Sequence, residues 1–251
     1  MPDATVATLN LFNRDGEWER RAPLVVDQLL ALKPDVIGFQ EVDLVLDQAM
    51  WISRQVNQRL GSERPHYRVK HAASSGKLAS VHGIATMARL PCTEHTVIDL
   101  MTFDRIAQRL VFDLDGNRFA FVNLHLHHPA EAREERLKQL EYLLPRLNAL
   151  GGGEPLIIAG DFNAYEGEPA VALLKSRFRS AYEAAHGREP EKTWPTPVNK
   201  WDNSPAGTLD YIFVSPQLDV LDAGLAFDQP SAGDPDLYPS DHLGLFARVR
   251  W

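Results

Sequence analysis

The chain has 251 residues, 44% of them hydrophobic and 24% charged, the composition of a globular protein with a substantial core. Its 26 Lys and Arg are outnumbered by 34 Asp and Glu, for a formal net charge of −8. That uniform acidity argues against tight duplex-DNA binding, where neutralised phosphates supply most of the non-specific free energy, although a metal-assisted nuclease stays open because local field outweighs the sum. A single cysteine, Cys92, excludes an intramolecular disulfide framework, and beside Pro91 it reads as a small residue at a turn or strand start. Met1-Pro2-Asp3-Ala4-Thr5 has no signal-peptide pattern and no segment approaches transmembrane length, so a cytoplasmic protein is expected.

Taken in chain order, Thr5-Val6-Ala7-Thr8-Leu9 is a strand closing on Asn10. Val25, Val26, Leu29 and Leu30 then share one helical face, and Pro34 ends the segment. Val36-Ile37-Gly38-Phe39 is a second strand, leading into Gln40-Glu41, and a helix is expected from Asp43 to Leu60, ending at Gly61. Strands are expected at 66–70, 80–89, 94–100, 108–114 and 118–126, the last two joined by the hairpin signal Leu114-Asp115-Gly116-Asn117. On the last of these, alternation puts Ala120, Val122, Leu124 and Leu126 on one face and Phe119, Phe121, Asn123 and His125 on the other. A helix opening at Pro129 and Glu131 carries Leu137, Leu140, Leu144 and Leu147 and stops at Gly151-Gly152-Gly153, with Pro145 a potential kink. Leu156-Ile157-Ile158-Ala159 leads into Gly160-Asp161-Phe162-Asn163, where on extended backbone Asp161 and Asn163 would point the same way. Asp210 opens the strand Tyr211-Ile212-Phe213-Val214, and Asp241-His242 opens Leu243 to Ala247.

Polar residues that close some apolar runs and open others meet at one place only if strands arrive there from both directions. The sheets should therefore be mixed, which disfavours a Rossmann-type arrangement. The proposed site draws on residues from 10 to 242, so one domain spanning 1–251 is expected. Loops at 72–77, 195–207 and 228–240 flank that site and would choose the substrate.

Magnesium prefers oxygen ligands and keeps an open site formed by one or two carboxylates and substrate phosphate, a role open to Glu41 and Asp241 with Asn10 nearby. The lack of cysteine ligands and of close His pairs speaks against structural zinc. His242 needs an orienting partner to act as a base, and Asp210 can fix its tautomer. Each fragment alone is explicable as a satisfied histidine, a turn or a cap; together and in this order they resemble the endonuclease/exonuclease/phosphatase superfamily. The resemblance runs from Thr8-Leu9-Asn10 through Phe39-Gln40-Glu41-Val42, Asn123-Leu124-His125-Leu126, Gly160-Asp161-Phe162-Asn163 and Thr208-Leu209-Asp210-Tyr211-Ile212-Phe213 to Ser240-Asp241-His242.

The resemblance implies a four-layered α/β sandwich, two mixed β-sheets face to face with helices outside, and a magnesium or manganese ion at the sheet edges. It implies a hydrolase of phosphate esters, foremost a phosphodiesterase, with a nuclease acting on DNA or RNA or a phosphatase of small molecules or lipid headgroups as alternatives. Glu41 resembles the principal metal ligand, supported by Asn10 and Asp241. His242 with Asp210 resembles the unit that activates water or contacts the scissile phosphate, Asp161 and Asn163 the pair that positions the nucleophile and a phosphate oxygen, and His125 the second histidine, which stabilises transition-state charge or protonates the leaving oxygen; the base is either His242 or Asp161. His82 departs from the pattern: relatives place there, just before Gly83, a glutamate that orients the second histidine, so electrostatic stabilisation by His125 is expected rather than acid catalysis. A nucleic-acid substrate has only Lys70, Lys77, Arg105 and Arg109 to meet it, and a monomer acting on a phosphate-ester substrate is expected. A non-catalytic scaffold would be marked by loss of one of these residues, and none is lost. Trp194 is expected to pack the base of a loop, while Trp201 serves equally as packing or as a base-stacking platform.

Overall fold

The structure is a computed structural model and describes residues 2–61, 65–76, 81–114 and 116–251. β1 (Asp3–Asn10), α1 (Trp18–Leu32) and β2 (Val36–Asp43) open the chain, with β1 and β2 parallel from Val6 beside Val36 to Asn10 beside Gln40. Val25, Val26 and Leu29 are the buried face of α1, and Lys33, in the left-handed region, returns its N–H to Leu29 before Pro34 stops the helix. α2 (Gln48–Leu60) starts later than Asp43, because the Asp43 carboxylate accepts the N–H groups of Val45 and Leu46 and so builds a turn. β3 (Arg68–Ala73) and β4 (His82–Ala88) follow, then β5 (Cys92–Asp99), β6 (Ile106–Leu114) and β7 (Asn117–His125). Leu114 pairs with Asn117 as the hairpin signal requires; Asp115 within it lies outside the described residues.

α3 (Arg133–Leu150) begins after a turn in which Ala132 N–H meets Pro129 O, and it contains Pro145. β8 (Leu156–Asp161), α4 (Pro169–Lys175), β9 (Arg179–Ser180), α5 (Ala181–His186), β10 (Asp210–Val214), β11 (Asp219–Ala226) and β12 (Gly244–Arg250) complete the order. Of these, α4, β9, α5 and β11 are elements that the hydrophobic pattern did not announce. No helix among the described residues is long and apolar enough to cross a membrane.

Two six-stranded mixed sheets result, ordered β11-β12-β1-β2-β4-β3 and β5-β6-β7-β8-β10-β9. Val6, Val36, Phe119, Phe121, Ile157, Ile212 and Leu245 fill the space between them. Outside, α1 and α2 bury Val25, Leu29, Ile52 and Val56 against the first sheet, and α3 and α4 bury Leu140, Leu144, Leu147 and Leu174 against the second. These are the four layers expected of the sandwich, and each fully buried large side chain in them contributes about 1.5–3 kcal/mol. The alternation on β7 is borne out: Val122 and Leu124 face the helices, Phe119 and Phe121 the opposing sheet.

A polar brace crosses the apolar interface between the sheets. Asn123 Nδ2 donates to Phe39 O at 3.1 Å and Ala85 O at 3.0 Å, while Gln40 Nε2 donates to Asn123 Oδ1 at 2.7 Å and Thr8 Oγ1 at 3.0 Å. Gly38 makes room for it, since a Cβ there would stand 2.8 Å from Asn123 Cγ. The brace registers β7 against β2, the strands that deliver His125 and Glu41.

Strand direction explains the convergence of the polar residues. β12 runs antiparallel to β1, with Leu245 beside Thr8, so the residues before β12 return to the edge where β1 and β2 end. In the second sheet β7 and β8 are parallel with His125 beside Asp161, and β10 is antiparallel with Asp210 opposite Asp161.

Candidate active site

Glu41 leaves the regular alternation of β2. The pairing of β2 with β4 shifts between Phe39 and Val42, and Glu41 itself takes φ 49°, a left-handed value uncommon outside glycine. This bulge turns the carboxylate toward the sheet edge, the kind of local distortion that clusters at functional sites. Asn10 Nδ2 donates to Asp161 Oδ2 at 2.9 Å and to Glu41 Oε1 at 3.3 Å, joining the two sheets. His125 Nε2 lies 3.4 Å from Asp161 Oδ2 and 3.9 Å from Glu41 Oε1. His242 Nδ1 bonds Asp210 Oδ2 at 2.8 Å, and its Nε2 stands 3.9 Å from Asp161 Oδ2 and 4.0 Å from Asp241 Oδ1. Asp241 is held by Trp194 Nε1 at 3.3 Å, Asn199 Nδ2 at 3.2 Å and Ser240 Oγ at 3.3 Å.

Asn163 differs from the extended-backbone expectation. Its φ of 49° follows from a tight turn in which its N–H donates to Asp161 Oδ1 at 2.8 Å, and its side-chain amide turns to Leu126 O at 3.2 Å. Asp161 and Asn163 still line one cavity, of ≈ 700 Å³, with Glu41, Asp241 and His242.

The cluster is electrostatically expensive without a cation. Burial pushes the Glu41 carboxyl above its usual range, aided by the charge of Asp241. Burial likewise raises Asp241, and raises Asp161 to about 7 with help from the charge of Asp210. Burial opposes protonation of His242, yet the charges of Asp210, Asp241 and Asp161 hold its imidazolium well above the usual range. His125 is driven the other way, well below, by burial and then by Arg105. Among the described residues, no Lys or Arg comes within ion-pair distance of Glu41, Asp161 or Asp241; their only such neighbours are His125 and His242.

This donor set, carboxylate oxygens with an amide beside them, suits a hard divalent cation. Ligand atoms of Asp161, Asp210 and His242 also lie within 4.8 Å of one another. There, however, Asp210 Oδ2 and His242 Nδ1 are already spent on each other, leaving Asp210 Oδ1 buried without a partner, whereas Glu41 and Asp241 repel across the cavity and would be relieved by a cation between them.

Residues that carried no signal in the sequence hold the site in place. Arg21 on α1 is fully buried and donates to the carbonyls of Leu11, Phe12, Asn13, Asp15, Gly16 and Pro239, tying the loop after Asn10 to the segment before Ser240. Arg136 on α3 does the same behind His125, donating to His127 O, Pro129 O, Ala130 O and the Glu168 carboxylate. Asn199 joins the Asp241 carboxylate to the loop N–H groups of Trp201 and Asp202. Trp194 is buried as expected, and in addition bonds Asp241. Trp201 is 68% exposed at the cavity rim, 6.4 Å from Phe12.

His82 accepts from Asn13 Nδ2 at 2.5 Å, and Arg105 donates to His125 Nδ1 at 2.9 Å and to His128 Nδ1 at 3.1 Å. Of the basic residues considered for nucleic acid, Arg109 is buried and paired with Glu94 and Glu154, so it is withdrawn from any ligand; Lys77 lies outside the described residues.

The description of the endonuclease/exonuclease/phosphatase family matches residues 7–242. Nocturnin of Xenopus laevis is 27% identical over 91% of this chain and 64% of its own length, and the chain spans less than two thirds of the curated relatives it matches first. Among solved structures, Danio rerio TDP2 complexed with a single-strand DNA product superposes with a TM-score of 0.79 at 19% identity, covering 100% of both chains. The mannosyl-6-phosphatase of Bacteroides thetaiotaomicron does so with 0.78 at 22% identity, covering 99% of this chain and 100% of its own. These last two likenesses are of fold. With the sheet-edge cluster and a family match that runs from β1 to His242, the chain belongs to the endonuclease/exonuclease/phosphatase family.

Proposed function

We propose that the protein is a magnesium- or manganese-dependent hydrolase of phosphate esters, foremost a phosphodiesterase, working as one domain over residues 1–251. The observation that carries this reading is the convergence of Glu41, Asp161, Asp241 and His242 on one cavity, with Asp210 bonded to His242 and His125, from the adjoining cavity, 3.4 Å from Asp161. Glu41 and Asp241 would hold the metal, with Asn10 fixing the Glu41 oxygen. When bound there, the cation supplies Lewis-acid polarisation of a non-bridging phosphate oxygen.

The chain's own residues do the rest. Asp210 accepts a hydrogen bond from Nδ1 of His242, which leaves Nε2 directed between Asp161 and Asp241, where the neutral ring takes a proton from the attacking water. Asp161, held by Asn10 Nδ2 and Asn163 N–H, orients that water for in-line attack. His125 and Asn163 line the side on which charge develops.

A small phosphate ester is favoured over a long polyanion by the rim: Asp15, Glu131 and Asp202 border the cavity mouth, and a nucleic-acid backbone would have to pass them. The single-strand DNA product of the zebrafish relative and the mannosyl-6-phosphate chemistry in the name of the Bacteroides relative keep a nuclease and a phosphatase as the alternatives. A cytoplasmic monomer completes the reading; size-exclusion chromatography with fractionation checks it.

The experiment is an activity panel with magnesium, manganese and chelator on an activated diester, a phosphomonoester, single- and double-stranded nucleic acid and sphingomyelin, run beside Glu41→Ala. Metal-dependent hydrolysis of the diester that Glu41→Ala reduces by orders of magnitude while remaining folded is the expected result. Wild-type rates from folded, metal-free Glu41→Ala would remove the metal assignment, and no hydrolysis of any ester would remove the enzyme reading.

A further inference from the structure

The two site imidazoles face opposite kinds of partner through the same ring atom. His242 Nδ1 meets a carboxylate, Asp210 Oδ2 at 2.8 Å, which can only accept; Nδ1 must carry the proton, and Nε2 is the nitrogen left to give and take one. His125 Nδ1 meets a guanidinium, Arg105 at 2.9 Å, which can only donate; Nδ1 must be the acceptor, and the ring's proton sits on Nε2. That Nε2 is buried, has no hydrogen-bond partner, and is aimed at the cluster, 3.4 Å from Asp161 Oδ2 and 3.9 Å from Glu41 Oε1.

Arg105 is built for the task. It leads into β6, beside β7, and its second terminal nitrogen donates to His128 Nδ1 at 3.1 Å, so both ends of the guanidinium fork are engaged. Among the described residues no carboxylate lies within ion-pair distance of it, although Asp104 adjoins it in sequence and Glu41 shares its cavity. Among the described residues, both side-chain hydrogen bonds that Arg105 makes go to imidazoles. The position where a carboxylate could have faced His125, just before Gly83, is His82, and that ring is bonded to Asn13 instead.

We propose that Arg105 is the positioning residue for His125: as a donor to Nδ1 it locks the ring in the neutral tautomer that presents Nε2–H to the reacting phosphate. His242 then serves as the base and His125 as a fixed donor, with opposite polarity wired into each by its Nδ1 partner. In the reaction, the bond from water oxygen to phosphorus forms as the bond to the leaving oxygen breaks. The water proton passes to His242 Nε2. The leaving oxygen departs as an anion hydrogen-bonded to His125 Nε2–H, which keeps its proton, and the oxygen is protonated afterwards by solvent. Turnover should accordingly fall steeply as the leaving group becomes more basic.

As far as turnover is the readout, the inference rests on the proposed hydrolase activity; the tautomer does not. Long-range proton–nitrogen NMR of the full chain should show His125 with Nδ1 unprotonated and Nε2 protonated. In Arg105→Met that single tautomer should give way to a mixture or to the other form, and kcat on a diester should fall roughly 10- to 100-fold with little change in KM, the usual range for a residue acting through another. Arg105→Lys, which can still donate to Nδ1, should recover most of the loss. In a His125→Ala background, Arg105→Met should add less than about twofold, because residues that act as a unit are not additive. Proton density on Nδ1 of His125 in the wild type, or the full Arg105→Met loss in the His125→Ala background, would overturn the proposal. If Arg105→Met does not fold, the wild-type tautomer decides alone. If no ester is hydrolysed, the functional reading fails and the tautomer result still stands.

Discussion

Arg21→Met isolates the part of the site that no motif announces. The guanidinium is fully buried, and desolvation brings it down to about 10, which measures how far from water it sits. Two of its acceptors, Leu11 O at 3.0 Å and Pro239 O at 2.7 Å, are bonded in fully buried surroundings; the carbonyls of Phe12, Asn13, Asp15 and Gly16 are bonded at partly buried ones that water can reach. Methionine keeps most of the volume beside the Trp18 and Phe12 rings but donates nothing. Leaving two buried carbonyls unpaired costs ~1–3 kcal/mol each, together ~2–6 kcal/mol. Relief from burying a cation offsets part of that, so a net loss of ~3 kcal/mol is expected. Against a total stability of ~5–15 kcal/mol the protein should still fold. Because the released segments flank Asn10 and Asp241, magnesium affinity should fall at least about tenfold, as it does when supports behind metal ligands are removed. Urea unfolding at matched m-values and titration calorimetry with magnesium read the two effects. Stability within ~0.5 kcal/mol of wild type, the scale of an ordinary surface change, would refute the reasoning.

Asp210→Asn keeps the shape of the pair but presents His242 Nδ1 with an amide; kcat should drop by roughly 10³ or more with unfolding unchanged, and a loss under tenfold would show that the pair is not the base. Chelated protein should lose melting temperature between about pH 7.5 and 8.5, a unit above the ordinary histidine value. Asp161, raised to about 7, and the raised Glu41 and Asp241 cost stability as they ionise in the fold, while the raised His242 gives up its contribution as pH climbs toward its folded pKa. The histidines with lowered pKa have shed their protons in both states by then, and saturating magnesium should flatten the slope; a flat or rising curve under chelation would count against the carboxylate cluster. Gly38→Ala sets a methyl 2.8 Å from Asn123 Cγ, against the brace between the sheets, and should cost ~2–4 kcal/mol by thermal melting; a shift equivalent to under 1 kcal/mol would mean the brace yields freely.

The site residues were legible because each interrupts an apolar run, and the directions of those runs, Glu41 at an end and Asp210 at a start, already required mixed sheets. Their local backbone was not. Glu41 faces the cavity through a bulge against β4, and Asn163 through a left-handed turn, and neither follows from alternation. Arg21 and Arg136 were hidden for a different reason: an arginine on an amphipathic helix reads as solvent-facing, and only the fold shows a ring of carbonyls closing on each. Arg109, read as a cation open to a ligand, is spent on Glu94 and Glu154. β11 escaped notice because its pattern does not alternate: Leu221 is exposed beside Asp222 on a sheet edge, with a shift in pairing between Val220 and Asp222.

The pairing of β1 with β12 bears on how the protein is made. Asn10 and His242 lie far apart in sequence, and the strands that bring them together lie side by side in one sheet. Until β12 docks, β1 lacks a neighbour on that side and the Asp161 carboxylate has no imidazolium from His242 beside it. Contacts so far apart in sequence close late, so the edge where β1 and β2 end gains Asp241 and His242 only after the rest of the sheet has formed. The sheet edge that gathers these side chains would thus be completed in one step, when β12 docks against β1.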